Sequence, residues 1–138
     1  MWKMLGADHP MAAHRADSRG ILERGRMPAM TAMLAQVIRA GTGSAAVING
    51  WPVAGKTGTS QSFRDAWFVG YSAEMLGGIW TGNDDDTPMD NVTGGGLPAR
   101  LWSDMMKIAH EGRTPSLLRG ADQLIQLSPE QQARVGYY

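Results

Sequence analysis

The stretch from Val53 to Gly82 limits the fold more than any other part of the sequence. It holds three runs able to extend: Val53-Ala54-Gly55-Lys56-Thr57-Gly58-Thr59, Asp65-Ala66-Trp67-Phe68-Val69-Gly70-Tyr71 and Met75-Leu76-Gly77-Gly78-Ile79-Trp80-Thr81-Gly82. The middle run is aromatic and β-branched, the composition that suits a pleated, packed surface. Ser60–Arg64 and Ser72–Glu74 join the runs, and neither link is long enough for a crossover helix. Neighbouring strands therefore run antiparallel, as a meander. Apolar side chains alternate onto both faces of the middle run, which predicts a strand covered on both sides. The glycines of the third run predict a bulge or close packing by a helix.

Two helices flank the meander. From Pro28 to Ala40, Met30, Met33, Leu34, Val37 and Ile38 follow the spacing of one helix face, read as core filling. Pro28 suits the first turn, Arg39 the last, and Gly41 a left-handed cap. From Pro98 to His110, Leu101, Met105, Ile108 and Ala109 mark a second face with Trp102 beside it, and Gly112 follows the end. His110 is expected to face the helix dipole rather than a ligand. Asn49-Gly50 predicts a turn before the first strand. The expected class is α+β, an antiparallel sheet of three clear strands packed by two helices. Residues 1–26 read as an N-terminal segment with a short strand near Ile21-Leu22, residues 27–113 as the packed unit, and residues 114–138 as a polar tail. In that tail Ser128-Pro129-Glu130-Gln131 resembles a helix start.

Charge and composition remove several functions. Lys plus Arg and Asp plus Glu number 13 each in 138 residues, so no basic excess points to nucleic acid. There is no cysteine, which removes thiolate nucleophiles, thiolate metal sites and disulfides. No apolar run approaches the ~18 residues of a membrane span. The first ten residues lack a signal peptide's apolar region, so no export signal is expected here. His9 and His14 flank Pro10 and share no regular helix face, so no metal pair is expected there. Asp84-Asp85-Asp86 fails the calcium-loop pattern, because Pro88 and Met89 fall where ligands and a glycine belong. It reads as a solvated acidic turn. No metal or cofactor is expected.

Chemistry concentrates at Lys56-Thr57-Gly58-Thr59. Gly50 to Thr57 satisfies the phosphate-loop pattern G-x-x-x-x-G-K-[ST] literally. That chemistry needs a helix whose N-terminus begins at the lysine, and here a strand follows instead. The other reading is a strand bordering a cleft. Lys56 offers a positive charge to a carboxylate or a reacting hydroxyl, and Thr57 and Thr59 offer hydroxyl donors. Gly58 lets an extended peptide lie alongside, and the Thr59 N–H can point at an oxyanion. Lys56 and Thr57 project to opposite faces, so both serve one site only from an edge strand. On this tripeptide alone, an ordinary glycine-containing strand with a surface lysine is the favoured account.

The wider pattern separates them. Lys56-Thr57-Gly58-Thr59, Arg64-Asp65-Ala66-Trp67-Phe68-Val69-Gly70-Tyr71, Trp80-Thr81-Gly82-Asn83-Asp84-Asp85 and Thr93-Gly94-Gly95-Gly96-Leu97-Pro98-Ala99 together closely resemble the penicillin-binding transpeptidase domain. The Asp65–Tyr71 version resembles the bifunctional class A proteins. The resemblance runs from about Asp17 to about Gly112. It implies part of a penicillin-binding, serine β-lactamase-like fold that binds the peptidoglycan stem peptide and β-lactams, on the periplasmic side of the bacterial inner membrane. It implies Lys56, Thr57 and Gly58 as catalytic, Thr57 and Thr59 as substrate-binding, and the Thr59 N–H as an oxyanion donor. The family's S-x-x-K and S-x-N motifs are missing: no serine has lysine three residues on or asparagine two on. Ser103 has Lys107 at four, and Ser116 has Arg119 at three. A chain without the nucleophile is expected to be inactive alone, with the upstream part of the domain as a partner. A non-catalytic module that binds stem peptide or complements a partner is the alternative.

Overall fold

A computed structural model describes residues 27–122. The expected strand near Ile21-Leu22 and the helix start at Ser128 lie outside them. The order is α1 (Met27–Ala40), β1 (Ala54–Thr59), β2 (Asp65–Tyr71), β3 (Leu76–Gly82) and α2 (Leu97–Ala109), with short 3₁₀ turns at Ser44–Ala46 and Gln61–Phe63. Among the described residues the strands form one antiparallel meander, β1-β2-β3, with β1 at an edge. Lys56 pairs with Val69, Gly58 with Trp67, and Trp67 in turn with Trp80. The register runs without a bulge from Asp65–Gly82 to Tyr71–Leu76.

The glycines of β3 serve close packing. A Cβ on Gly77 would meet Met105 Cε at 2.7 Å and Trp102 Nε1 at 3.1 Å. On β2, Gly70 lies under the Trp102 indole in the same way, with Cζ2 2.8 Å from an added Cβ. Phe68 and Trp102, both without solvent exposure, centre the main core, their rings 5.1 Å apart and tilted by 60°. Ile38, Ile48, Val53 and Met106 complete it.

Four packing expectations are corrected. The methionine stripe of α1 does not fill the core: Met30 and Met33 are 41% and 48% exposed, and Thr31, Ala32, Ala35 and Ile38 are buried. α1 lies against β1, where Ala35 meets Ala54, so small residues permit the approach. On α2 the inward face holds Pro98, Ala99, Trp102, Ser103 and Met106, while Leu101 and Ile108 point outward and Met105, partly exposed, reaches over Gly77. β2 is covered on one face only, since Ala66, Phe68 and Gly70 are buried while Trp67 and Val69 are nearly half exposed. Gly41 does not take a left-handed conformation, as Gly50 and Gly112 do. It sits instead against Val37, whose carbonyl lies 2.8 Å from an added Cβ. The stretch read as a tail also begins inside the fold, where Leu118 and Ala121 are buried beside Ala35 and Ala54. Among the described residues no helix is long and apolar enough to cross a membrane.

Candidate active site at the edge of the sheet

Lys56, Thr57, Gly58 and Thr59 all lie on β1, the edge strand. The Ser60 N–H donates to the Asp65 carbonyl at 2.9 Å, which fixes the phase of the ladder. Antiparallel pairs alternate between bonded and non-bonded, so Gly58–Trp67 and Lys56–Val69 are bonded pairs. Thr57 and Thr59 fall in the non-bonded pairs. Their N–H and C=O groups therefore point away from β2, to the open side of the strand.

The side chains divide by the pleat. Thr57 pairs with Phe68 and lies on the face that α2 covers, while Lys56 pairs with Val69 on the bare face. Lys56 Nζ reaches round to donate to the Thr57 carbonyl at 2.9 Å, so the ammonium sits at the edge itself. Both residues thus reach one edge from opposite faces. The phosphate-loop reading fails here, because Lys56 sits inside a strand and no helix begins at it.

The two hydroxyls are held by elements distant in sequence. Thr57 Oγ1 lies 2.8 Å from Thr42 Oγ1, just beyond α1. Thr59 Oγ1 accepts the Gly94 N–H at 3.0 Å. The loop after β3 makes this possible. It returns across the β1–β2 link, where the Met89 N–H donates to the Phe63 carbonyl and Arg64 pairs with Asp86. It then lays Gly94 on the strand: an added Cβ would fall 2.2 Å from the Trp67 carbonyl oxygen and 2.4 Å from that of Gly58. Gly95 is pressed against Thr42 in the same manner, 2.0 Å from its carbonyl oxygen. No side chain fits at either position. Neither Thr42 nor this clamp was singled out by residue type. The signal was the unbroken Gly94-Gly95-Gly96 run, since glycines so grouped mark close backbone approach.

The acidic loop residues are held by neighbouring protein groups. Asp85 accepts from the Thr87 N–H and hydroxyl, which holds its carboxyl below the ordinary carboxylate range. Asp86 pairs with Arg64. No group of metal-ligating side chains occurs among the described residues. His110 turns back to its helix end as expected, with Nδ1 on the Met106 carbonyl. It also borders a cleft of about 510 Å³ with Trp51 and Lys107, and no β1 residue lines that cleft.

Residues 22–75 match the family described as the penicillin binding protein transpeptidase domain. Penicillin-binding protein 1A of Aquifex aeolicus is 39% identical over 77 residues, 55% of this chain and 11% of that protein. Penicillin-binding protein 1A of Neisseria meningitidis serogroup B is 35% identical over 86 residues, 61% of this chain and 11% of the relative. Penicillin-binding protein 1F of Bacillus subtilis is 29% identical over 130 residues, 86% of this chain and 18% of the relative. The chain thus spans less than a fifth of the length of these relatives.

Proposed function

We propose that the chain is part of the transpeptidase domain of a class A penicillin-binding protein, and that its β1 edge is the substrate-carboxylate and oxyanion half of a peptidoglycan D,D-transpeptidase site. The observation that carries this is the backbone of β1. Thr57 and Thr59 present their peptide groups to the open edge, and Lys56 brings a cation to the same edge. An extended stem peptide pairs with such an edge through main-chain hydrogen bonds.

In this reading a serine oxygen attacks the carbonyl of the penultimate D-Ala. An ester forms, the peptide bond breaks, and the terminal D-Ala leaves as an amine. An amine of a neighbouring stem then attacks the ester and releases the serine. Thr59's N–H meets the oxyanion of each tetrahedral intermediate, a donor worth about 3–4 kcal/mol in the transition state. Lys56 assists proton movement at the serine, and Thr57 and Thr59 hold the terminal carboxylate. The serine of S-x-x-K is not among these 138 residues, so acyl transfer needs it from additional polypeptide. The bare face of β2 and β3, carrying Trp67 and Trp80 beside Lys56, is the side left open to receive it. Such a site works where peptidoglycan lies, outside the inner membrane.

The test is covalent labelling by fluorescent penicillin. The chain alone is expected to take no label. Mixed with a transpeptidase fragment carrying S-x-x-K and S-x-N, it is expected to restore label on that fragment's serine, and Lys56→Ala to abolish it. Label on this chain itself, or restoration indifferent to Lys56, overturns the proposal.

A further inference from the structure

We propose that Thr42 is a positioning residue that turns the Thr57 hydroxyl into a hydrogen-bond donor for a bound carboxylate. The inference rests on the reading of the β1 edge given above and deepens it.

The argument is one of counting hydrogens. A hydroxyl has one hydrogen to give and two lone pairs. Thr59 Oγ1 already accepts the Gly94 N–H at 3.0 Å, and a backbone amide can only donate. The Thr59 hydrogen is therefore left for another acceptor. Thr42 and Thr57 lie 2.8 Å apart, oxygen to oxygen, and share a single hydrogen. Either can supply it. An ionised carboxylate only accepts. When one arrives at Thr57, the Thr57 hydrogen goes to the ligand, and the hydrogen between the two threonines is Thr42's. The result is a directed chain, Thr42 to Thr57 to carboxylate, in which each bond polarises the next. Thr57 and Thr59, two positions apart on one face of β1, then each have a hydrogen for a group with two oxygens.

The position of Thr42 is built rather than incidental. Gly43 ties the segment to α1 through its N–H and the Val37 carbonyl at 2.9 Å. On the other side Gly95 abuts the Thr42 carbonyl and lies near Thr57 Cγ2, 3.7 Å from an added Cβ. Gly94 holds the Gly58 backbone and the Thr59 hydroxyl at once. One glycine turn therefore sets both hydroxyls, Thr59 directly and Thr57 through Thr42.

The experiment uses the 138-residue chain, an N-acetylated peptide ending in D-Ala-D-Ala, and the same peptide as its C-terminal amide. Binding is followed by amide chemical shifts at Thr57 and Thr59. Wild type is expected to prefer the free carboxylate. Thr42→Val keeps the shape and removes the hydroxyl. It should weaken the carboxylate peptide about tenfold and leave the amide peptide nearly unchanged. Thr42→Ser should restore the preference. A Thr42→Val chain that weakens both peptides equally, or neither, overturns the proposal, because a purely structural tie would not discriminate between them. A wild-type chain that does not distinguish the two peptides overturns the carboxylate reading of the β1 edge, and the role of Thr42 with it.

Discussion

The Ser72 hydroxyl donates to Nε2 of His110 at 2.9 Å and ties the β2–β3 hairpin to the end of α2. The direction follows from the neighbours. The Met106 carbonyl, 2.6 Å from Nδ1, can only accept, so Nδ1 carries a hydrogen. Ser72 Oγ accepts the N–H groups of Glu74 and Met75, which leaves its own hydrogen for Nε2. Trp51 closes over the ring, with centroids 4.0 Å apart.

His110→Phe keeps an aromatic ring in place but leaves the Ser72 hydrogen without its acceptor, while the Met106 carbonyl keeps the backbone N–H of residue 110. A buried donor left unpaired costs about 1–3 kcal/mol. The substitution is expected to lower the urea midpoint accordingly. Ser72→Ala alone should also destabilise. The double variant should lose less than the two single losses combined, because both remove the same bond. Strict additivity would contradict the coupling.

Gly70 predicts a second asymmetry. An added Cβ there would lie 2.8 Å from Trp102 Cζ2 and 2.9 Å from Phe68 Cε1, both in buried rings. Gly70→Ala should cost about 1–3 kcal/mol through overpacking. Gly78, on the opposite face, has its nearest atom at 3.6 Å, Val69 Cγ2. Gly78→Ala should be neutral or stabilising, since it also restricts the unfolded chain. Equal losses for the two variants, read by equilibrium unfolding, would remove the claim that Trp102 seats on Gly70.

The strands were legible because their links were short and their composition extreme, and both features are local. The phases of the helices were not. On α1, hydrophobicity favoured Met30 and Met33, but the approach to Ala54 selects the smallest residues, so Ala32 and Ala35 face inward. On α2, the buried face carries Ser103 and His110, which an apolar count rejects. They belong there because Ser103 donates to the Val47 carbonyl and His110 to that of Met106. The residues of the β1 edge were legible as a group. Their partners Thr42 and Gly94 were not, since the contacts join residues 15 and 35 positions apart.

The bare face of the sheet makes a prediction about the isolated chain. Trp67, Val69 and Trp80 are 47%, 44% and 43% exposed, and Leu76 reaches 75%. The two indoles sit 6.3 Å apart as a cross-strand pair. An apolar surface this continuous drives association. Sedimentation velocity on the 138-residue chain should show an average coefficient that rises with concentration. Trp67→Thr combined with Leu76→Thr should suppress the rise without altering the circular dichroism. A wild-type chain that stays monomeric across the dilution series would contradict this.

Acid should loosen the turn at Asp85, within the loop that carries the glycine clamp. Its carboxylate accepts the Thr87 hydroxyl at 2.7 Å and the Thr87 N–H at 3.1 Å, and both bonds favour the ionised form. Its pKa is therefore lowered from the ordinary aspartate value. For a carboxyl shifted downward on folding, the stabilising contribution is present in full above the unfolded value. It is lost as pH falls through the lower, folded value. Asp85 is fully exposed, so the effect is local to the turn rather than to global stability. The Thr87 amide resonance should titrate with a midpoint below that of an ordinary aspartate. Thr87→Val removes the hydroxyl donor and should raise the midpoint, and Asp85→Asn should flatten the profile. A midpoint at or above the ordinary value would show that these bonds do not hold the turn.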